Sequence, residues 1–170
     1  MRCSSAPKRA MPPEGTGETA RGEDAHFRAL ESLYRSAPIN RLFESELEIP
    51  EAGFARIRFE VDDRVHHAAG AAHGTSYFKM LDDAAFYAAN SLVTDHFLLT
   101  TAFNLLFTRP IHNGPVIAEG RWISGKRRVY VADARLIDAD GEEAARGTGT
   151  FMRSRIPLAS LPGYRDAQRA

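Results

Sequence analysis

Residues 73–90 read HGTSYFKMLDDAAFYAAN, and two adjacent carboxylates, Asp82 and Asp83, interrupt an otherwise apolar run. Tyr77, Phe78, Met80, Leu81, Ala84, Ala85, Phe86, Ala88 and Leu92 fall on nearly every side of the helical period. That pattern predicts a buried helix over about 74–92. An unpartnered carboxylate is costly to bury, so an acid in such a helix lies at a cleft or has a chemical task. Neighbouring residues on a helix point about 100° apart, so the two acids do not act as one pair. Asp83 has Lys79 four residues before it, a surface pair worth roughly 0.3 kcal/mol. Asp82 instead lies between Phe78 and Phe86, four residues away on either side. Lys79 is also three residues from Asp82, so the separation is incomplete. Asp82 is therefore the carboxylate at a cleft or with a chemical task. The bland alternative is that both acids are solvated where the helix emerges.

The bulk of the chain narrows the setting. Its 170 residues fit one domain with tails. Twenty-two basic side chains balance 22 acidic ones, which gives no electrostatic drive toward nucleic acid or an anionic membrane. Cys3 is the only cysteine, so neither an intrachain disulfide nor a cysteine metal cluster forms. The six histidines make no His-Glu-x-x-His pattern, and no metal or cofactor is expected. No apolar run approaches the roughly 18 residues that span a bilayer. The first residues lack the apolar core of a secretory signal, and a reducing, cytoplasmic setting is expected.

The elements that must position the helix follow from punctuation and alternation. Residues 1–22 are rich in Gly, Pro, Ser, Thr and charge, the composition of a disordered tail. Phe27, Leu30, Leu33 and Tyr34 predict a helix over 24–36, with Asp24 as N-cap and Pro38 beyond its end. Residues 41–49 read as a strand, and 54–61 (FARIRFEV) as a half-buried strand whose alternation slips at Ala55. Residues 62–72 form a loop. Four more strands are expected at 96–108, 115–123, 128–138 and 142–153, joined by Gly-containing turns as consecutive hairpins. The polar residues 156–170 read as a fraying tail. This order is α+β, one antiparallel sheet curling around a long central helix, within a domain over 23–155.

In order and spacing, several pieces together resemble the hotdog-fold thioesterases, in particular small acyl-CoA thioesterases of the phenylacetate-degradation type. They are Gly70-Ala-Ala-His73-Gly74 before the helix, Asp82 nine residues after His73, Phe107-Thr-Arg-Pro110, Ser124-Gly-Lys-Arg-Arg128 and Ala145-Arg-Gly-Thr-Gly-Thr-Phe151. The resemblance covers roughly residues 40–154. Where that family usually reads Asn-x-x-Gly-x-x-His-Gly-Gly, this chain has His67 for the Asn and Thr75 for the second Gly.

The resemblance implies thioester hydrolysis, with acyl-CoA as substrate rather than cofactor. Asp82 matches the catalytic carboxylate, which implies a general base or a nucleophile. The amides of Gly74 and Thr75, at a helix N-terminus where N–H groups lack partners, suit an oxyanion. Thr100 matches a hydroxyl that helps to hold the catalytic water. His67 is placed to orient water or the thioester, with His66 as its rival, and His73 to fix the loop. Arg109, Arg127 and Arg128 are candidate ligands of the coenzyme phosphates. A homodimer or homotetramer with sites at the dimer interface is implied. Two other readings stay open. One is an acyl-CoA-binding or regulatory hotdog domain without catalysis. The other is a hydratase on the same fold, which Asp62 or Asp63 with His67 mimics in spacing.

Overall fold

The computed structural model describes residues 16–168. Six strands, β1 (Glu46–Glu51), β2 (Phe54–Val61), β3 (His96–Phe107), β4 (Gly114–Ser124), β5 (Val129–Ile137) and β6 (Glu143–Pro157), form one sheet. Their order is β1-β2-β4-β5-β6-β3, antiparallel throughout. The helices are α1 (Thr16–Ser36), α2 (Asn40–Phe43), α3 (Gly74–Asn90) and α4 (Pro162–Ala167). The α+β hotdog architecture expected from the sequence is therefore present.

The sheet wraps α3 because both surfaces are apolar at their contact. Ile57, Phe59 and Val61 of β2 alternate inward, and Met80, Leu81, Ala84, Ala85 and Ala88 of α3 are buried against the sheet. Gly120 of β4 lets the backbones touch: a Cβ there would lie 2.0 Å from the Ala84 carbonyl oxygen. The slip at Ala55 also has a cause. Phe54 points to the other face of the sheet and is buried there, with the Arg121 guanidinium 4.2 Å from its ring centroid.

Several expectations are corrected. The hairpin chain holds for β4, β5 and β6, but β3 does not pair with β4; it pairs with β6 at the sheet edge. Residues 108–113 cross the three intervening spacings, about 14 Å, which six residues span easily. Tyr77 pins this crossover: its hydroxyl donates to the Arg109 carbonyl and accepts from the Ile111 amide. Helix α1 starts at Thr16, so Asp24 lies inside it and is no N-cap, and the predicted tail 1–22 loses its last part to the helix; residues 1–15 lie outside those described. Residues 40–43 are helical, and β1 begins only at Glu46. The C-terminal segment does not fray. β6 runs to Pro157, and buried Leu158 and Tyr164 bring α4 against α1, where Tyr164 Oη and His26 Nδ1 are 2.7 Å apart.

Helix α3 is also less uniformly buried than its composition predicts. Phe78 is exposed, as is Leu92 just past the helix end at Asn90, and Thr75, Phe78 and Asp82 form a stripe that escapes the core. At its C-terminus, buried Asn90 accepts from the Leu98 amide at 2.9 Å and donates to the Val93 and His96 carbonyls. This knot fixes where β3 starts alongside the helix.

Candidate active site

Asp82 faces β3. Thr100 Oγ1 donates to its Oδ1 at 3.0 Å and reaches Oδ2 at 3.3 Å. Three residues further on, Phe103 meets Phe78 edge to face, centroids 5.6 Å apart. In a regular strand, residues three apart face opposite sides. A β-bulge at Thr101 resolves this: Thr100 pairs with Phe151, whereas Ala102 pairs with Thr150. The extra residue turns both Thr100 and Phe103 toward α3. Gly147 and Gly149 leave room for the Phe103 ring, since a Cβ at Gly147 would lie 2.3 Å from its Cε1.

Burial, more than any other influence, pushes the Asp82 carboxyl up to about 6. The Thr100 hydroxyl and Lys79 act in the opposite direction, and Asp83 reinforces the rise. Asp83 differs in its company. It forms an ion pair with Lys79, whose Nζ also donates to Asn40 Oδ1 at 2.6 Å and lies 5.1 Å from the Tyr34 ring centroid. The pair is largely buried, not the surface pair that the spacing suggests. Desolvation still raises Asp83 above the usual carboxylate range, against the pull of Lys79.

The helix N-terminus holds a second group of candidates. His73 is the N-cap, and its Nδ1 accepts from the Thr75 amide at 3.1 Å while contacting Thr75 Oγ1 at 2.9 Å. The Thr75 N–H expected to serve an oxyanion is therefore already engaged. The Gly74 N–H has no acceptor among the described residues. His67 and Gly74 line one cavity of about 440 Å³ with Tyr77, Phe107 and Arg109. His67 Nδ1 accepts from the Ala69 amide. His66 is turned away to the His112 carbonyl, which removes it as a rival.

Asp82 does not reach this cavity. It lines a different one of about 250 Å³ with Thr100, Phe86, Phe97, Ala37 and Ile39. Asp82 is eight positions along the helix from Gly74, a rise of about 12 Å. The basic candidates are dispersed too. Arg109 follows the end of β3, and its guanidinium lies 3.5 Å from Asp138 and 3.8 Å from Glu142. Arg127 and Arg128 sit at the β4–β5 tip and make no ion pair among the described residues. In the register across the sheet, that tip lies near the Tyr130–Phe151–Thr100 row, whereas Arg109 lies beyond the Leu136–Ala145–Phe107 row. Six residues of β5 separate these rows, about 20 Å. One protomer cannot bring all three arginines to the same phosphate.

Sequence reading missed Asn40, Phe103 and the segment before β1. Only the aromatic and amide character of these residues was visible; their partners are far away in the chain.

Known proteins share this fold. Residues 69–145 match the model of the thioesterase superfamily, which supports thioester hydrolysis as the broad activity. A protein of Saccharolobus solfataricus is 27% identical over 123 residues, covering 72% of this chain and 82% of its own length. One from Sulfurisphaera tokodaii is 25% identical over 119 residues, covering 70% and 89%. Both are named only provisionally, as esterases. The PaaI protein of the E. coli phenylacetic acid degradation operon superposes with a TM-score of 0.73 at 18% identity, over 79% of this chain and 97% of that one. A mutant thioesterase from Pseudomonas aeruginosa gives 0.67 at 24% identity, over 75% and 94%. At these identities the structural likeness establishes the common hotdog fold.

Proposed function

We propose that this chain, whose residues 69–145 match the thioesterase superfamily, hydrolyses acyl-coenzyme A thioesters with Asp82 as general base. The observation that carries the reading is the Asp82 carboxylate, held by Thr100 on the lining of a largely apolar cavity and tuned upward by burial. A carboxylate near 6 is mostly ionised at neutral pH yet basic enough to take a proton from water. In the proposed step Asp82 accepts that proton as the water oxygen attacks the thioester carbonyl. The Gly74 N–H, at the positive end of the α3 dipole, stabilises the resulting oxyanion. Collapse of the tetrahedral intermediate breaks the C–S bond, and the departing coenzyme thiolate takes the proton from Asp82. A free acid and coenzyme A result.

Base and oxyanion donor sit about two turns apart on one helix, so the two come from different protomers in this reading. Edge strand β3 supports a homodimer. It has 12 residues and no Asp, Glu, Lys or Arg, and Leu99, Leu106 and Phe107 are exposed along it. A long edge without charge is a template for pairing with another strand. A dimer through this edge sets Gly74 of one protomer opposite Asp82 of the other. Arg127 and Arg128 are unpaired and suit coenzyme phosphates; Arg109, shared with two acids, is the weaker candidate.

A second reading, acyl-CoA binding without turnover, draws on one observation. The His73–Thr75 cap leaves the oxyanion a single amide. Subunit mixing tests both. Asp82→Asn and Gly74→Pro proteins, each inactive alone, are unfolded together, refolded and assayed on acyl-CoAs with a thiol reagent. Composite sites restore roughly a quarter of wild-type activity, because half of the dimers are mixed and each has one intact site. No recovery removes the shared site. A wild type inactive on every acyl-CoA tried leaves the binding reading.

A further inference from the structure

We infer that the segment Ala37–Asn40, which precedes the family-matched residues, is the wall that sets the size of the acyl group admitted beside Asp82. This rests on the acyl thioester reading above. The cavity at Asp82 has two sides of different origin. Phe86, Phe97 and Leu98 belong to α3 and β3 and form its floor. Tyr34, Ala37 and Ile39 come from the end of α1 and the turn into α2, and line the rest of it.

This wall is held rigidly and keyed to the site. Asn40 is buried, and its Nδ2 donates to the Tyr34 carbonyl at 2.6 Å. Its Oδ1 accepts from Lys79, the partner of Asp83. The neighbour of the proposed base is thus tied to the wall through two side chains. Pro38 stiffens the turn between Ala37 and Ile39 and biases Ala37 away from helical geometry. That agrees with α1 ending at Ser36.

The chemistry of the cavity specifies its occupant. Its floor is aromatic and aliphatic, and its charged groups are Asp82 and Asp83, with no basic side chain on the lining. An uncharged acyl group is accepted, while one with a terminal carboxylate meets Asp82, since Asp83 is already paired with Lys79. An apolar cavity of about 150 Å³ accommodates benzene. The cavity here, about 250 Å³, suits one ring with a short linker or an aliphatic chain of similar bulk. A longer chain must displace Ile39, which is 47% exposed at the mouth.

The test compares Ala37→Leu and Ile39→Ala with wild type on acetyl-, hexanoyl-, benzoyl-, decanoyl- and succinyl-CoA, after thermal melts establish folding. Ala37→Leu is expected to lower kcat/KM for hexanoyl- and benzoyl-CoA by about tenfold or more and to spare acetyl-CoA. Ile39→Ala is expected to raise the decanoyl-to-hexanoyl ratio about fivefold or more. Succinyl-CoA is expected to be the poorest substrate of its length. Equal factors on every acyl group in both folded variants would overturn the wall. A calorimetric titration with the non-hydrolysable thioether analogue of hexanoyl-CoA separates this failure from that of the hydrolase reading. If wild type hydrolyses nothing, weakened thioether binding in Ala37→Leu still upholds the wall, and unchanged binding overturns it.

Discussion

Two cavities flank helix α3, and they divide the chemistry between them. The one at its N-terminus offers backbone: the Gly74 amide, the helix dipole and a loop histidine. The one at its middle offers a side chain: Asp82, desolvated by aromatic neighbours and held by Thr100. The difference reflects what a helix can present. Free amides exist only at its first turn, whereas a carboxylate can be placed at any position. The two lie about 12 Å apart along one helix, so the proposed reaction takes them from two protomers.

Changes at the two cavities should therefore differ in kind. Asp82→Asn is expected to lower kcat by 10²- to 10⁴-fold, roughly the whole contribution of a general base, without changing the oligomer on gel filtration. Normal turnover in this variant would remove Asp82 from the reaction. Gly74→Pro deletes the free N–H and adds a ring whose Cβ would lie 3.2 Å from Phe107 Cζ, a contact that a small shift of that exposed ring relieves. Proline is tolerated at the first helical position, and His73 already has the extended conformation (ψ 145°) that a following proline requires. Its expected effect is a loss of about 10²- to 10³-fold in kcat with little change in melting temperature. A simple collapse of stability would show that Gly74 serves packing against Phe107 instead.

The middle cavity should also leave a mark on stability. The folded Asp82 carboxyl lies above its ordinary value of 3.8, so its ionised form destabilises the native state at neutral pH. Its contribution improves as pH falls through about 6 toward 4, while kcat/KM falls over the same range because the base is protonated. Asp82→Asn should accordingly melt about 4 °C higher than wild type at pH 7, an activity loss paired with a stability gain. An unchanged melting temperature would mean that the carboxylate is better solvated than its cavity suggests. Lys79→Met should act oppositely. It strands the Asp83 carboxylate among buried neighbours, at about 3 kcal/mol, and its effect should shrink at low pH as Asp83 takes up a proton. The smallest effect is expected from Asp83→Asn. Removing this neighbouring charge should change kcat no more than about threefold and move the acidic limb of the pH profile to lower pH.

Much of this was visible in the one-dimensional pattern. The density of apolar residues in about 74–92 marked α3, which ends at Asn90, and the alternation in 54–61 marked β2 with its bounds intact. The aromatic flanks of Asp82 and the Lys79–Asp83 spacing distinguished the two acids before any contact was known. Other features were not visible because they depend on distant partners. The placement of β3 beside β6 is set by the reach of the 108–113 crossover and by where Asn90 anchors the strand. The bulge at Thr101 exists only as a mismatch between two strands, yet it alone turns Thr100 and Phe103 toward the same helix.

What the sequence by itself determined was the local and the periodic: which segments are helix or strand, which faces are apolar, and which carboxylate lacks a neutralising neighbour. These follow from residues a few positions apart, where geometry is repeated. Only the tertiary structure decided that His73 occupies the Thr75 amide, that Asn40 reaches Lys79 across 39 positions, and that Asp82 and Gly74 open into different cavities. Those outcomes depend on where the chain returns to itself, and side-chain hydrogen bonds and cavities are made by whichever residues that return brings within a few ångströms.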